Sequence, residues 1–228
     1  MRFKLLITAA ASAVILTGMT AAPAQANHAW GSYHWSTTNG VVAKTIYSSL
    51  TSDWSGNLTT ANNDWNVSTH LQNTVVAGDT SAMARKRCTM VAGAIKVCNA
   101  SYGNNGWAGL ASINISGSHI TQGTAKMNDT YEAGAPAAER QGVMCQEVGH
   151  DFGLGHQDEN FTNANLGTCM DYTNDWSTNQ KPNQHDWDQL NTIYNHADSA
   201  SPAKQASSTP GATRISTGDT VTTITWAN

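Results

Sequence analysis

Hydrophobic residues recur at helical spacing in three segments of the chain, and each spacing predicts a helix. The first helix would begin at Ser52 or Asp53, either of which can cap it, and end in the Asn-rich residues 62–66. Its apolar face comprises Trp54, Leu58, Ala61 and Trp65. The second would run from Ala137 to Phe152 and end at Gly153. The third follows Pro182 and covers 183–194, with Trp187, Leu190 and Tyr194 on one face.

Alternating apolar and polar residues predict a strand at Trp107–Ser116. Ala111, Ile113 and Ile115 alternate there with Ser112, Asn114 and Ser116, as in a strand with one face in water. We therefore expect this strand near the edge of a sheet. Shorter strands are predicted at 34–36, 41–43, 71–76 and 124–127.

The two ends of the chain differ in composition from its middle. Residues 1–26 carry Arg2 and Lys4, an apolar run, and a small-residue site at 24–26, the pattern of a signal peptide. Residues 27–198 are long enough for one domain. Residues 199–228 form a Ser, Thr and Ala-rich tail, whose Val221–Trp226 run either docks as a strand or does not. The sequence therefore predicts a secreted, extracellular protein.

Charge and hydropathy exclude two classes of partner. Charged residues make up 12% of the chain, the formal net charge is −4, and no basic stripe is present. Nucleic acid and anionic lipid surfaces are therefore not expected as partners. No stretch after the first 26 residues is long and apolar enough to span a bilayer. We expect a monomer with no membrane partner.

Residues 145–158 contain an elongated zinc-binding signature, HExxHxxGxxH, in which Gln146 replaces the first histidine. On a helix, positions 146 and 150 project from one face, so Gln146 and His150 can reach one ion. Gly153 allows the left-handed backbone that reverses the chain and returns His156 as the third ligand. Glu147 would lie beside the ion and act as the general base toward a bound water.

This motif, followed by Cys169-Met170-Asp171-Tyr172, resembles the metzincin zinc proteases, and within them the secreted bacterial matrixin-like proteins. The resemblance covers roughly residues 28–196. It implies an α+β fold with a twisted mixed sheet, an edge strand over the cleft, an active-site helix, a Met-turn and a C-terminal helix. It also implies an endopeptidase that binds one zinc ion and acts on extracellular peptides or proteins. Met170 would then lie under the metal, Tyr172 would contact the metal or an oxyanion, and strand 108–116 would pair with substrate.

Gln146 is the departure from this pattern. Its amide oxygen has the reach of an imidazole Nε2 but is a weaker donor to zinc, so zinc affinity should fall. Asp151 and Asp158 could replace the missing ligand or hold the histidines by hydrogen bonds. A structural calcium ion is also conceivable in such a fold, but no calcium-loop pattern supports it.

Four cysteines in an exported chain make two disulfides, in one of three connectivities. We favour Cys88 with Cys98, which closes a short hairpin-like segment, and Cys145 with Cys169, which ties the motif helix to the Met170 segment. A zinc-thiolate cluster is disfavoured because no CxxC pair exists.

Two other functions compete with peptide hydrolysis. Loss of a ligand can turn a protease into a metal-free peptide-binding module that keeps the groove but not the activity. A glycoside hydrolase would need two carboxylates across a cleft, which Glu147 could supply together with Asp151 or Asp158.

Overall fold

The computed structural model describes residues 27–198 and 215–227, so the predicted signal peptide lies outside the described residues. The described chain is built on one eight-stranded sheet. Its strands are β1 (His34–Trp35), β2 (Thr45–Ser49), β3 (Thr74–Ala77), β4 (Ile95–Ala100), β5 (Trp107–Ser116), β6 (His119–Asn128), β7 (Ile215–Thr217) and β8 (Thr220–Trp226). The helices are α1 (Ser52–Trp65), α2 (Ala82–Arg87), α3 (Asp129–Glu132), α4 (Ala137–His150) and α5 (Gln184–Tyr194).

The sheet is mixed, as predicted. Its strand order is β3-β2-β4-β6-β5-β8-β7, with β1 paired to β6 outside this path. The pairs among β1, β2, β3, β4 and β6 are parallel. Those of β5 with β6, β5 with β8 and β7 with β8 are antiparallel. The fold is α+β: α1 and α2 alternate with the parallel strands β2, β3 and β4, while α3, α4 and α5 follow one another between β6 and β7.

The prediction that Trp107–Ser116 lies at the sheet edge is wrong. The strand itself has the predicted bounds, but β8 pairs along the side that β6 leaves free. Gly109 lies opposite Thr225, and Ile113 lies opposite Val221. The polar residues of β5 that were predicted to face water are partly covered by β8. The hydroxyls of Ser112 and Thr222, for example, form a hydrogen bond of 2.8 Å. The Val221–Trp226 run of the tail thus docks as a strand.

Helices α1 and α4 pack against each other and bury the largest side chains of the chain. The predicted face of α1 is buried, and the Trp65 indole N–H donates to the Cys145 carbonyl at 3.0 Å. Neither Ser52 nor Asp53 caps α1, because Thr51 holds the N-cap position. The Thr51 hydroxyl accepts from the Asn99 amide at 3.0 Å and makes no cap bond of its own.

Other short elements depart from the prediction. Residues 41–43 form only an isolated bridge, between Val42 and Leu71. Strands β2 and β4 were not predicted, since β2 is largely polar and β4 is buried on both faces, so that neither alternates. The third helix starts one residue after Asn183, which forms a capping box with Asp186.

The cysteines join loops to the sheet and to α4. Cys88 is bonded to Cys98 on β4, and Cys145 on α4 is bonded to Cys169. The second bond fixes the segment that contains Met170 against α4. Within the described residues, no helix has the length and hydropathy needed to cross a membrane.

Candidate active site

The last turns of α4 carry Gln146, Glu147 and His150, and all three side chains are buried. The helix ends at His150, and Gly153 then takes a φ of 85°. A Cβ atom at Gly153 would overlap the Tyr33 carbonyl oxygen, so a side chain is excluded for two independent reasons. The reversal at Gly153 returns His156 to the helix, as the sequence predicts.

His150 and His156 point the same ring nitrogen at each other. Their Nε2 atoms lie 3.1 Å apart. Nδ1 of His150 lies 2.8 Å from the Leu154 carbonyl oxygen, which can only accept, so this nitrogen carries the proton. Nδ1 of His156 lies 3.1 Å from a Glu159 carboxyl oxygen. In neutral rings both Nε2 atoms therefore present lone pairs to each other, an arrangement that a cation between them would stabilise.

Burial keeps these two rings neutral. The pKa of His156 falls to about 3, first because the ring is buried and then because His28 is near. The pKa of His150 lies well below its ordinary value for the same first reason, with His156 as the second cause. A neutral imidazole is the form that binds a metal ion. The two histidines are thus in the protonation state that ligation requires at neutral pH.

Gln146 and Glu147 share one hydroxyl group. The Thr225 hydroxyl of β8 contacts Oε1 of Gln146 and Oε1 of Glu147. It has a single proton to donate, so an ionised Glu147 would compete with Gln146 for that proton. Burial raises the pKa of Glu147 to about 8, although the bonds from Thr225 and the Ala111 backbone act against this. A protonated Glu147 is a weaker acceptor than an ionised one, which leaves the Thr225 proton to Gln146.

Gly109 on β5 makes room for the Glu147 carboxyl. A Cβ atom added at Gly109 would lie 2.6 Å from Cγ of Glu147, which is closer than nonbonded carbons approach. Within the described chain, Oε2 of Glu147 and Nε2 of Gln146 have no hydrogen-bond partner. Buried polar atoms without partners are rare, and they mark this spot as one built for a further polar group.

Met170 packs against α4, and Tyr172 packs against His156. Met170 is buried against α4 at Gly149, where an added Cβ would lie 2.7 Å from its sulfur. The Met170 carbonyl accepts from the Gln157 N–H at 2.6 Å and so holds the segment after His156. The Tyr172 ring lies 4.3 Å from the His156 ring, and its hydroxyl donates to the Ile224 carbonyl of β8 at 3.0 Å.

Neither aspartate considered as a substitute ligand reaches the histidine pair. Asp151 is buried against β6, where an added Cβ at Gly123 would lie 2.7 Å from its carboxyl oxygen. Asp158 accepts from the Asn160 N–H at 2.6 Å and so shapes its own loop. The carboxylate that holds His156 is Glu159, which the sequence analysis did not consider. Its spacing of three residues after His156 was the available signal.

Strand β8 pairs with β5 and contacts α4. It runs antiparallel to β5 and places Thr225 over Glu147. Thr225 was not predicted as a site residue, because it lies 78 residues from Glu147 and belongs to a polar tail. The described part of the tail is thus a component of the site.

The donor set fits a zinc ion. The structure brings two neutral imidazole nitrogens together, those of His150 and His156, while Oε1 of Gln146 contacts the Thr225 hydroxyl. Zinc takes nitrogen and oxygen ligands at about 2.0–2.2 Å, so the donor types at all three motif positions suit it. Three such side chains would leave room for water or a hydroxyl on the ion.

Comparisons with known proteins find resemblance only among solved structures. No protein-family model matches the sequence, and no curated protein sequence matches it. High choriolytic enzyme 1, a hatching enzyme zinc-protease from the medaka fish Oryzias latipes, is 12% identical, with 72% of this chain and 94% of that chain covered and a TM-score of 0.40.

Two structures of myroilysin match to a similar degree. One is 13% identical, covers 75% of this chain and 99% of that chain, and has a TM-score of 0.43. The other is 11% identical, covers 71% and 86% and has a TM-score of 0.41. Resemblance of this strength does not assign the chain to a family, and the site's own contacts must carry the functional argument.

Proposed function

We propose that this chain is an exported zinc-dependent endopeptidase that cleaves extended segments of extracellular peptides or proteins. One observation carries the proposal: the paired Nε2 atoms of His150 and His156 lie beside Glu147 under a strand that is bound in extended form to β5. An endopeptidase needs this combination of a metal, a base and a groove for extended backbone. The signal-like residues 1–26 and the two disulfides support export.

The residues of the site would divide the work as follows. His150, His156 and Gln146 would hold zinc, which when bound lowers the pKa of a water ligand toward neutrality. Glu147 would accept the proton of that water and pass it to the leaving amine. Its raised pKa of about 8 places it close to working pH, where a carboxyl can both accept and return a proton.

Gln146 lowers the zinc affinity of the proposed site without abolishing it. Its oxygen is already oriented as an acceptor, because it receives the Thr225 hydroxyl. Replacing imidazole by an amide oxygen lowers zinc affinity, while the net charge of the ligand set stays the same. We therefore expect a zinc peptidase that loses its metal more easily than one with three histidines.

The second candidate is the metal-free peptide-binding module. The contacts of Thr225 favour it, since they occupy Oε1 of Gln146 and Oε1 of Glu147, the oxygens that a zinc site would use for the metal ion and its water. The glycoside hydrolase has no comparable support, because Asp151 is buried against β6 rather than placed across a cleft from Glu147.

The test uses the full chain with Thr223→Pro, which breaks the pairing of β8 with β5 and opens the groove. With zinc added, this variant should cleave a mixed library of quenched fluorescent peptides. Adding Glu147→Gln should lower the rate by at least about 100-fold, the usual scale for a general base. Cleavage that Glu147→Gln leaves unchanged would overturn the peptidase. Peptide binding without any cleavage would establish the binding module instead.

A further inference from the structure

Three histidines surround the carboxylate of Asp198 beside β1. The Nε2 atoms of His34, His119 and His196 lie 3.3, 3.2 and 3.1 Å from the same Asp198 oxygen, Oδ1. The ligand atoms of His34, His119 and Asp198 all lie within 4.8 Å of one another. These residues come from β1, the start of β6, and the chain after α5, so the fold assembles them from distant segments.

The pairing of the strands builds this cluster. His34 and His119 are direct partners in the parallel pair of β1 and β6, so their side chains emerge as neighbours. Asp198 is held by two backbone contacts to Thr37: its N–H donates to the Thr37 carbonyl, and its Oδ2 accepts from the Thr37 N–H, each at 2.8 Å. Oδ1 is left free to face the three rings.

The protons of His34 argue against a simple hydrogen-bonded cluster. Nδ1 of His34 lies 2.8 Å from the Ser32 carbonyl oxygen and must donate to it. A neutral His34 then has only a lone pair on Nε2, which faces the lone pairs of Asp198 Oδ1 at 3.3 Å. Either His34 carries a positive charge, or a cation lies between these atoms. A backbone carbonyl that fixes the tautomer in this way is the usual support of a metal-bound histidine.

The distances also suit a metal ion. Ligand atoms bound at about 2.0–2.1 Å in a tetrahedron lie roughly 3.3 Å from one another. The distances from Asp198 Oδ1 to Nε2 of His34 and His119 match this separation.

We propose that His34, His119 and Asp198 form a second metal site, distinct from the motif on α4, that binds a divalent transition metal such as zinc, with His196 bonded to the same Asp198 oxygen. Imidazole nitrogens with one carboxylate oxygen suit zinc better than calcium or magnesium, which prefer oxygen ligands. The site joins the first strand of the described chain to the residues after its last long helix. Its role is structural, because binding would fasten these two segments together.

Zinc titration of variants tests this site apart from the first. His156→Ala removes the motif site, and by calorimetry this variant should still bind one zinc ion. Adding His119→Ala should weaken the remaining binding at least tenfold and abolish the rise in unfolding temperature that zinc produces. His70→Ala is the matched control, because His70 also bonds a backbone carbonyl, that of Gly40, and a side chain of α5, that of Asn191, but lies outside the cluster.

Two results would overturn the second site. The first is that His156→Ala binds no zinc; the second is that zinc binding survives His119→Ala unchanged. Should His119→Ala fail to fold, Asp198→Asn serves instead, since an asparagine oxygen can still accept from the Thr37 N–H while the charge at the site is lost. Zinc binding equal to that of the His156→Ala parent would again reject the site.

A separate observation concerns the occupant of the groove. Strand β8 is held on β5 from Trp107 to Asn114, and its Thr225 and Ile224 contact Glu147 and Tyr172. These are the positions that an extended peptide would need. We infer that the C-terminal hairpin of β7 and β8 is an internal inhibitor that occupies the peptide groove. This inference rests on the proposed function in one respect: the surface of β5 that β8 occupies is taken as the site where substrate binds.

A reversible crosslink tests the hairpin. Ser112 and Thr222 are partners in the β5–β8 pair with hydroxyls 2.8 Å apart, so Ser112→Cys with Thr222→Cys should form a disulfide that locks the hairpin. A labelled synthetic peptide of residues 220–227 is the probe. It should bind Thr223→Pro, should not bind the locked chain, and should bind again to the same chain after mild reduction.

The controls separate this inference from the peptidase proposal. Wild-type chain treated with the same reductant is the control for reduction of the native disulfides Cys88–Cys98 and Cys145–Cys169. Binding of the peptide to the locked chain as tight as to Thr223→Pro would overturn the inhibitor. If the peptide binds the open chain but not the locked chain, and no variant cleaves peptides, the inhibitory role of the hairpin is supported and only the peptidase is rejected.

Discussion

The Nε2 atoms of His150 and His156 lie 3.1 Å apart, and the Nδ1 atom of each ring is engaged elsewhere. Both rings are neutral because they are buried, so the facing nitrogens offer two lone pairs and no proton. A water molecule or a protonated ring could relieve this contact, but zinc relieves it with the ligand type and distance that zinc prefers. The zinc binding predicted for the α4 site depends on this contact between the two Nε2 atoms.

Gln146→His should raise zinc affinity at the α4 site by at least about tenfold, because imidazole is the stronger donor to zinc. The measurement is a competition titration against a chelating dye, made in the His119→Ala background so that the second site does not contribute. Gln141→His is the control: it also adds a histidine to α4, but Gln141 bonds Asn57 away from the motif. Equal affinity for both variants would show that position 146 does not face the metal.

Gly109→Ala should abolish peptide cleavage in the Thr223→Pro background while the chain stays folded. The new Cβ would overlap the Glu147 carboxyl and displace the base. Overpacking of this kind costs about 1–3 kcal/mol of unfolding free energy. Gly56→Ala is the control, since Gly56 lies in α1 with nothing within 4 Å of an added Cβ, and this change should stabilise by up to about 1 kcal/mol. Full activity in Gly109→Ala would contradict the role of Glu147.

Stability should fall as pH rises because of Glu132 on α3. Burial first, and the charges of Glu139 and Asp129 in addition, raise its pKa from 4.5 to about 8, against an opposing effect of Arg140. The folded chain holds this proton more tightly than the unfolded chain, so the contribution is complete below pH 4.5 and is lost as pH rises through 8.

Urea unfolding of wild type and Glu132→Gln between pH 5 and 8 measures this loss. The difference in unfolding free energy should change by up to about 4 kcal/mol across the range, in the direction that disfavours wild type at high pH. Gly56→Ala, which changes no titratable group, should leave the pH dependence of wild type unaltered. Parallel curves for wild type and Glu132→Gln would contradict the raised pKa.

Removal of the Cys145–Cys169 bond should cost stability and zinc affinity together. The bond spans 24 residues that include the motif turn and His156, and a loop of this size is worth roughly 3 kcal/mol. Cys145→Ala with Cys169→Ala should therefore weaken zinc binding at α4. The double alanine variant of Cys88 and Cys98 should lose stability but keep that affinity, since its bond lies between α2 and β4. Equal loss of zinc affinity in the two double variants would show that the Cys145–Cys169 bond does not support the α4 site.

The sequence predicted the local parts of this molecule better than its long-range contacts. The helices that carry the site have strong apolar faces, and the turn at Gly153 requires a glycine, so both can be found from neighbouring residues alone. The docking of β8 on β5 joins residues over 100 positions apart, as in the bond of Ser112 with Thr222. The Val221–Trp226 run left open whether it docks, and nothing in the sequence indicated its partner.

The histidine cluster was missed for the same reason. His119 had no position relative to the motif in the sequence, and nothing local linked it to His34 or Asp198. The partnership arises from the parallel pairing of β1 with β6, a contact between strands that are short and distant in the chain. Glu159 was a different case, because it lies three residues from His156 and local spacing could have found it.

Anomalous diffraction at the zinc edge, from crystals of the chain grown with zinc, tests the central claim most directly. The account predicts an anomalous peak about 2.0–2.1 Å from Nε2 of both His150 and His156. Zinc bound to the protein elsewhere, with no peak between these two nitrogens, would contradict it.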